Sequence, residues 1–158
     1  MSHDERRTLH SDGLGAFQPH GKVEVWATGQ ILHYRATGPF NLEFLIALDA
    51  ADRELMASVA ARGPFAILAQ FTGSIAGTPE ALAALESSLA EQNRLGLASL
   101  AVAFVVGPEV EGRVLMKRIF AGIYARQGLR FQWFEEAEAA QAWLAESLSH
   151  ADNPPPSP

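Results

Sequence analysis

Two oily segments in the middle of the chain constrain its fold more than any other feature. Phe65-Ala-Ile-Leu-Ala-Gln-Phe71 is almost wholly apolar and follows the breaker pair Gly63-Pro64. Leu97 to Val106 is the most apolar run in the protein and stops at Gly107-Pro108. Short apolar runs framed by Gly and Pro read as strands covered on both faces. Such strands sit side by side in a parallel sheet, because the helical crossovers that join them also bury them. The expectation is two neighbouring parallel ribbons beneath helical cover.

The flanking segments extend this pattern. Val23-Glu-Val-Trp-Ala27 and Ile31-Leu-His-Tyr-Arg35 alternate and are joined through Thr28-Gly29, which reads as a hairpin loop. That loop would set Val25 opposite Leu32, Val23 opposite Tyr34, Trp26 opposite Ile31 and Glu24 opposite His33. Asn41 can cap a helix carrying Leu42, Leu45, Leu48, Leu55, Met56 and Val59 at helical spacing. Glu43, Asp52, Arg53 and Arg62 fall to its other faces in this reading. Thr78-Pro79-Glu80 opens a second helix striped by Leu82, Leu85 and Leu89. Pro108 to Gln127 reads as a third helix, Leu129 to Phe134 as a strand, and Glu135 to Leu148 as a last helix. The order is ββαβαβαβα: an α/β fold whose mixed sheet starts as an antiparallel hairpin and continues with parallel strands.

At 158 residues the chain fits one domain. Residues 1–20, polar and without apolar periodicity, are expected to be a flexible leader. Residues 21–149 form the domain, and 150–158 a disordered Pro-rich tail. With no cysteine, the chain can hold no disulfide, thiolate nucleophile or zinc–thiolate site. A net charge of −6 opposes nucleic acid as the main partner. No apolar run approaches the roughly 20 residues of a transmembrane helix, and no signal-peptide pattern opens the chain. The expectation is a soluble, cytoplasmic protein.

The hairpin around Thr28-Gly29, the Thr37-Gly38-Pro39-Phe40-Asn41 approach to the first helix, and the ending Phe134-Glu135-Glu136-Ala137 through Ala142-Trp143-Leu144 carry a resemblance. In element order and these segments the chain resembles the STAS-like (SpoIIAA-like) family of small bacterial proteins, related to anti-sigma factor antagonists. The resemblance implies a non-enzymatic regulatory or binding module, working through protein contacts or a small hydrophobic, lipid-like ligand. In anti-sigma factor antagonists the loop after the third strand carries an Asp-Ser-Ser-Gly-like motif whose serine is phosphorylated. The matching loop here reads Gln70-Phe-Thr-Gly-Ser-Ile-Ala-Gly-Thr78 and lacks the aspartate and the paired serines.

Thr72, Ser74 and Thr78 of that loop are the candidates for an anion site or phospho-switch, because free N–H groups at a helix start can hold an anion. They also support the alternative function, an enzyme or anion-binding protein built on this loop. Capping by Thr78 and an ordinary turn explain the same residues more simply. No P-loop or nucleophile elbow is present, and the five histidines lack the i, i+4 spacing of a zincin. No catalytic residue, metal or cofactor is therefore assigned. Arg113 and Lys117 share one face of the third helix and Phe120 and Tyr124 widen its apolar arc. With Trp26 and Ile31 on the outer hairpin face, these are the candidates for a partner or ligand surface, including a homodimer contact.

Overall fold

The first reversal of the domain depends on Gly29, whose φ of +58° suits the first position of a two-residue hairpin loop. In the computed structural model, which describes residues 7–9 and 20–152, that loop is Gly29-Gln30. It joins β2 (Lys22–Thr28) to β3 (Ile31–Thr37). The expected loop, Thr28-Gly29, lies one residue too early, because it puts the glycine at the second position. Every pairing moves by two residues: Val25 faces Tyr34, Trp26 faces His33 and Glu24 faces Arg35. A shift of two preserves both faces of the hairpin. It replaces the expected Glu24–His33 contact with a Trp26–His33 stack, centroids 5.0 Å apart. The Gln30 amide donates to the carbonyls of Gly63 and Pro64, each at 3.0 Å, and ties the loop to the segment preceding the next strand.

Beyond the hairpin the chain alternates: α1 (Leu42–Ala60), β4 (Ala66–Thr72), α2 (Pro79–Arg94), β5 (Ala101–Val106), α3 (Arg113–Arg126), β6 (Phe131–Phe134) and α4 (Ala137–Asp152). A short β1 (Arg7–Leu9) pairs antiparallel with β2. Of the expected leader, then, residues 7–9 form an edge strand. The remaining expectations for residues 1–19 and for 153–158 lie outside the described residues. The last helix runs four residues past its expected end at Leu148, so residues 150–152 of the expected tail are helical.

The sheet order β1-β2-β3-β4-β5-β6 never reverses. β3, β4, β5 and β6 are parallel, with Leu68 beside Ala103 and Ala69 beside Phe104. The two oily segments are thus neighbouring parallel strands, as their composition demands. Crossovers between parallel strands are right-handed, and a sheet that grows in one direction therefore places every crossover helix on one face. α1, α2 and α3 bury Phe44, Met56, Val59, Leu89, Phe120 and Ile123 there, against Val25, Leu32, Phe104 and Val106. Helix α4 follows the last strand, joins no strand pair, and covers the opposite face. Leu144 and Ala140 pack on Leu68 and on Ala66, Ala101 and Ala103, whose small side chains let the helix approach closely.

Two boundaries differ from expectation for a tertiary reason. Pro108 to Gly112 is not helical. The Glu111 N–H donates to Gly73 O at 2.8 Å and the Ile75 N–H to Glu111 O at 3.0 Å, so this stretch bridges the β4–α2 loop and α3 begins only at Arg113. Likewise β5 begins at Ala101, because Leu97 to Leu100 connect α2 to the sheet.

Candidate functional site

Helix α1 holds its least expected residue on its buried stripe. Leu48, Asp52 and Met56 are spaced four apart, which stacks them on one helix face. Asp52 is consequently only 6% exposed, against the sequence expectation that it faces away from the core. A buried carboxylate needs a partner, and β3 supplies one. The Tyr34 hydroxyl donates to Asp52 Oδ2 at 2.6 Å. Burial pushes the Asp52 carboxyl up to about 6, with the Tyr34 hydrogen bond pulling the other way and nearby Asp49 adding to the rise. Burial likewise raises Asp49, opposed by the hydrogen bond it accepts from Ser88 of α2 at 2.9 Å. Gln92 donates in turn to Ser88 Oγ at 3.3 Å.

These groups occupy the wall of a cavity of about 130 Å³ between α1, α2 and the sheet. Its apolar lining includes Phe40, Leu45, Leu85, Phe71 and Phe104, and Phe120 and Tyr124 of α3 reach it from the side. An apolar protein cavity of roughly 150 Å³ takes up benzene, so the space matches a small ring or a short branched chain. Tyr124 is 5% exposed, and burial raises its hydroxyl pKa. Among the described residues this hydroxyl has no hydrogen-bond partner, whereas that of Tyr34 is committed to Asp52. A mostly apolar concavity with a few convergent polar groups is the arrangement expected of a small-molecule site.

The other candidate residues are distributed around this centre rather than gathered in one place. Phe120 and Tyr124 belong to the cavity and the core, not to an outer surface. Trp26 and Ile31 lie on the opposite sheet face. Trp26 is buried between the His33 ring and the Arg35 guanidinium, the latter 5.3 Å from its ring centre, while Ile31 packs at the margin of the α4 cluster. Arg113 pairs with Glu135 at 2.7 Å and Lys117 is exposed. The three loop hydroxyls are each engaged locally. Thr72 Oγ1 shares a hydrogen bond with Thr37 Oγ1 at 2.7 Å, Ser74 Oγ accepts from the Ala76 N–H at 3.1 Å, and Thr78 caps α2 through the Ala81 N–H at 3.1 Å. Open α/β sheets bind ligands where the strand order reverses; this sheet has no reversal, and its cavity lies under the helices instead. Tyr34, Asp49, Asp52, Ser88 and Gln92 were not among the sequence candidates, although the i, i+4 placement of Asp52 between Leu48 and Met56 marks it.

No family model matches the chain, and no curated protein matches it. The architecture is similar to the crystal structure of an uncharacterised protein of the DUF3478 family from Shewanella loihica PV-4, described as having a SpoIIAA-like fold. The TM-score is 0.52 at 15% identity, covering 84% of this chain and 99% of that one. The chain therefore has a SpoIIAA-like, STAS-type fold. Among the described residues no helix is long and apolar enough to cross a membrane.

Proposed function

We propose that this chain is a non-enzymatic binding module of STAS type that holds a small hydrophobic molecule between α1, α2 and the sheet and acts through protein contacts. The observation that carries this reading is the cavity of about 130 Å³, a largely apolar concavity between α1, α2 and the sheet that opens to the surface. A concave, mostly apolar site with a few polar groups at its wall is the usual form of a small-molecule site. A ligand changes the contacts of a module by favouring one arrangement of the elements that enclose it. Ile46 of α1 and Val114 and Leu115 of α3 are large exposed apolar side chains on the helical layer that bounds the cavity, and supply a surface for a partner.

The reading is tested by native mass spectrometry of the full chain with toluene and Ala81→Leu. Ala81 lines the cavity and is buried, so the larger side chain fills the space that the ligand needs. One toluene per chain in the wild type and none in the variant is the expected result. Equal uptake by both proteins, or no uptake by either, would overturn the reading.

A further inference from the structure

We propose that the chain forms a symmetric homodimer in which the edge strand β6 pairs antiparallel with β6 of a second copy, Trp133 lying beside its own counterpart. This surface is separate from the cavity and does not depend on it. β6 ends the sheet and has one neighbouring strand, β5. The Val102 N–H donates to the Arg130 carbonyl at 2.9 Å. Successive residues of a strand turn their backbone groups to alternate sides, so Gln132 and Phe134 also address β5. The N–H and C=O groups of Phe131 and Trp133 point outward, where no strand among the described residues meets them. Proteins commonly blunt such an edge with a charge or a proline. β6 reads Phe-Gln-Trp-Phe and carries neither, whereas β1 at the other edge carries Arg7.

The charges stand just outside the strand, one sign at each end: Arg130 before it, Glu135 and Glu136 after it. Glu135 is held by Arg113. Arg130 lies over the Trp143 ring, 5.0 Å from its centre, and neither Arg130 nor Glu136 has an ion pair among the described residues. A two-fold axis normal to the sheet keeps each face continuous across the junction, so residues set opposite each other must share a face. Phe131 and Trp133 pack with Tyr124 and Phe104 on the α3 side, and Phe134 packs with Trp143 of α4 on the other. Setting Trp133 opposite its counterpart meets this condition and lets the two residues exchange both backbone hydrogen bonds. The same register carries Arg130 of each copy to Glu136 of the other, at both ends of the junction. A parallel, in-register copy would bring like charges together instead. The edge is thus complementary to itself in one direction, which is what favours a second copy over another partner.

The test is sedimentation equilibrium of the full chain, of Arg130→Glu and of Glu136→Arg. Both side chains are exposed, so the variants should keep the circular dichroism of the wild type. Each reversal sets like charges together at both ends of the junction, because symmetry counts it twice. The wild type is expected to dimerise, and each variant alone to do so at least tenfold more weakly. An equimolar mixture of the two variants should form a mixed dimer about as tight as the wild-type one, since each supplies the charge that the other lacks. A wild type that stays monomeric up to millimolar concentration would overturn the proposal. So would dimerisation that neither reversal weakens, or a mixture no tighter than its separate components.

Discussion

Tyr34 of β3 donates its phenolic hydrogen to Asp52 of α1 across 2.6 Å, the hydrogen bond by which the sheet holds the first helix at the polar wall of the cavity. Burial and the adjoining carboxylate raise the Tyr34 hydroxyl well above the usual range, so it stays protonated and remains the donor. Removing it strands a buried carboxylate. Tyr34→Phe is expected to cost about 1–3 kcal/mol at neutral pH, the penalty for an unsatisfied buried polar group. Urea denaturation of the two proteins measures this, and a loss below a few tenths of a kcal/mol would mean that the hydrogen bond does not form.

The same carboxyl makes stability depend on pH in a definite direction. Its folded value of about 6 lies above the ordinary 3.8. Below pH 3.8 the group is protonated in both states; between 3.8 and about 6 the folded chain keeps a proton that the unfolded chain has released. Stability from this group is therefore fully present at low pH and is lost as pH rises through about 6, by on the order of 2–3 kcal/mol. Asp49 acts in the same sense, while Glu86 and Glu91, held low by Arg126 and Arg94, act in the opposite one. The difference between the wild type and Asp52→Asn isolates the effect. That variant should gain relative stability between pH 4 and pH 7, and a difference that stays flat across this range would contradict the burial of the charge.

Much of the architecture could be read from the chain because its strongest signals are local. Two apolar runs between Gly-Pro breakers give two parallel strands, and alternation in the hairpin gives the correct buried face. The hairpin register was off by two because one glycine suits either loop position until its φ is known. The start of α3 was misplaced because Glu111 is drawn into backbone hydrogen bonds with Gly73 and Ile75, residues distant in sequence. The site was less legible. A charged residue in a helix is assigned to solvent by its chemistry, and Asp52 becomes an interior residue only when Tyr34 arrives from another element. Phe120 and Tyr124 stand as surface candidates in the sequence, yet in the fold both rings pack against Phe104 of β5, a residue distant in sequence.

Helix α4 is the sole helical cover of its sheet face among the described residues, and Leu144 is fully buried at its centre. Leu144→Ala is expected to destabilise the domain by about 2–5 kcal/mol, as truncation of a buried leucine does. Toluene binding measured at a temperature where the variant is folded should be unchanged, because this cluster lies across the sheet from the cavity. Chemical denaturation and the same titration check both halves of the expectation.

Ala81→Leu serves a second purpose as a probe of packing. Extra methyl groups forced into a filled core cost about 1–3 kcal/mol. Beside a cavity of about 130 Å³ they find room, and the variant should match or exceed the wild type in thermal stability. A fall in melting temperature of several degrees would show that the space is not available.

The most direct measurement is a methyl-resolved NMR titration of the full chain with toluene. Leu45, Leu48, Met56, Leu82 and Leu85 line the cavity, whereas Leu68 and Leu144 lie on the opposite face of the sheet. Saturable shifts confined to the first group are the predicted result. Shifts spread equally over both groups, or none in the first, would contradict the claim that α1, α2 and the sheet enclose a ligand site.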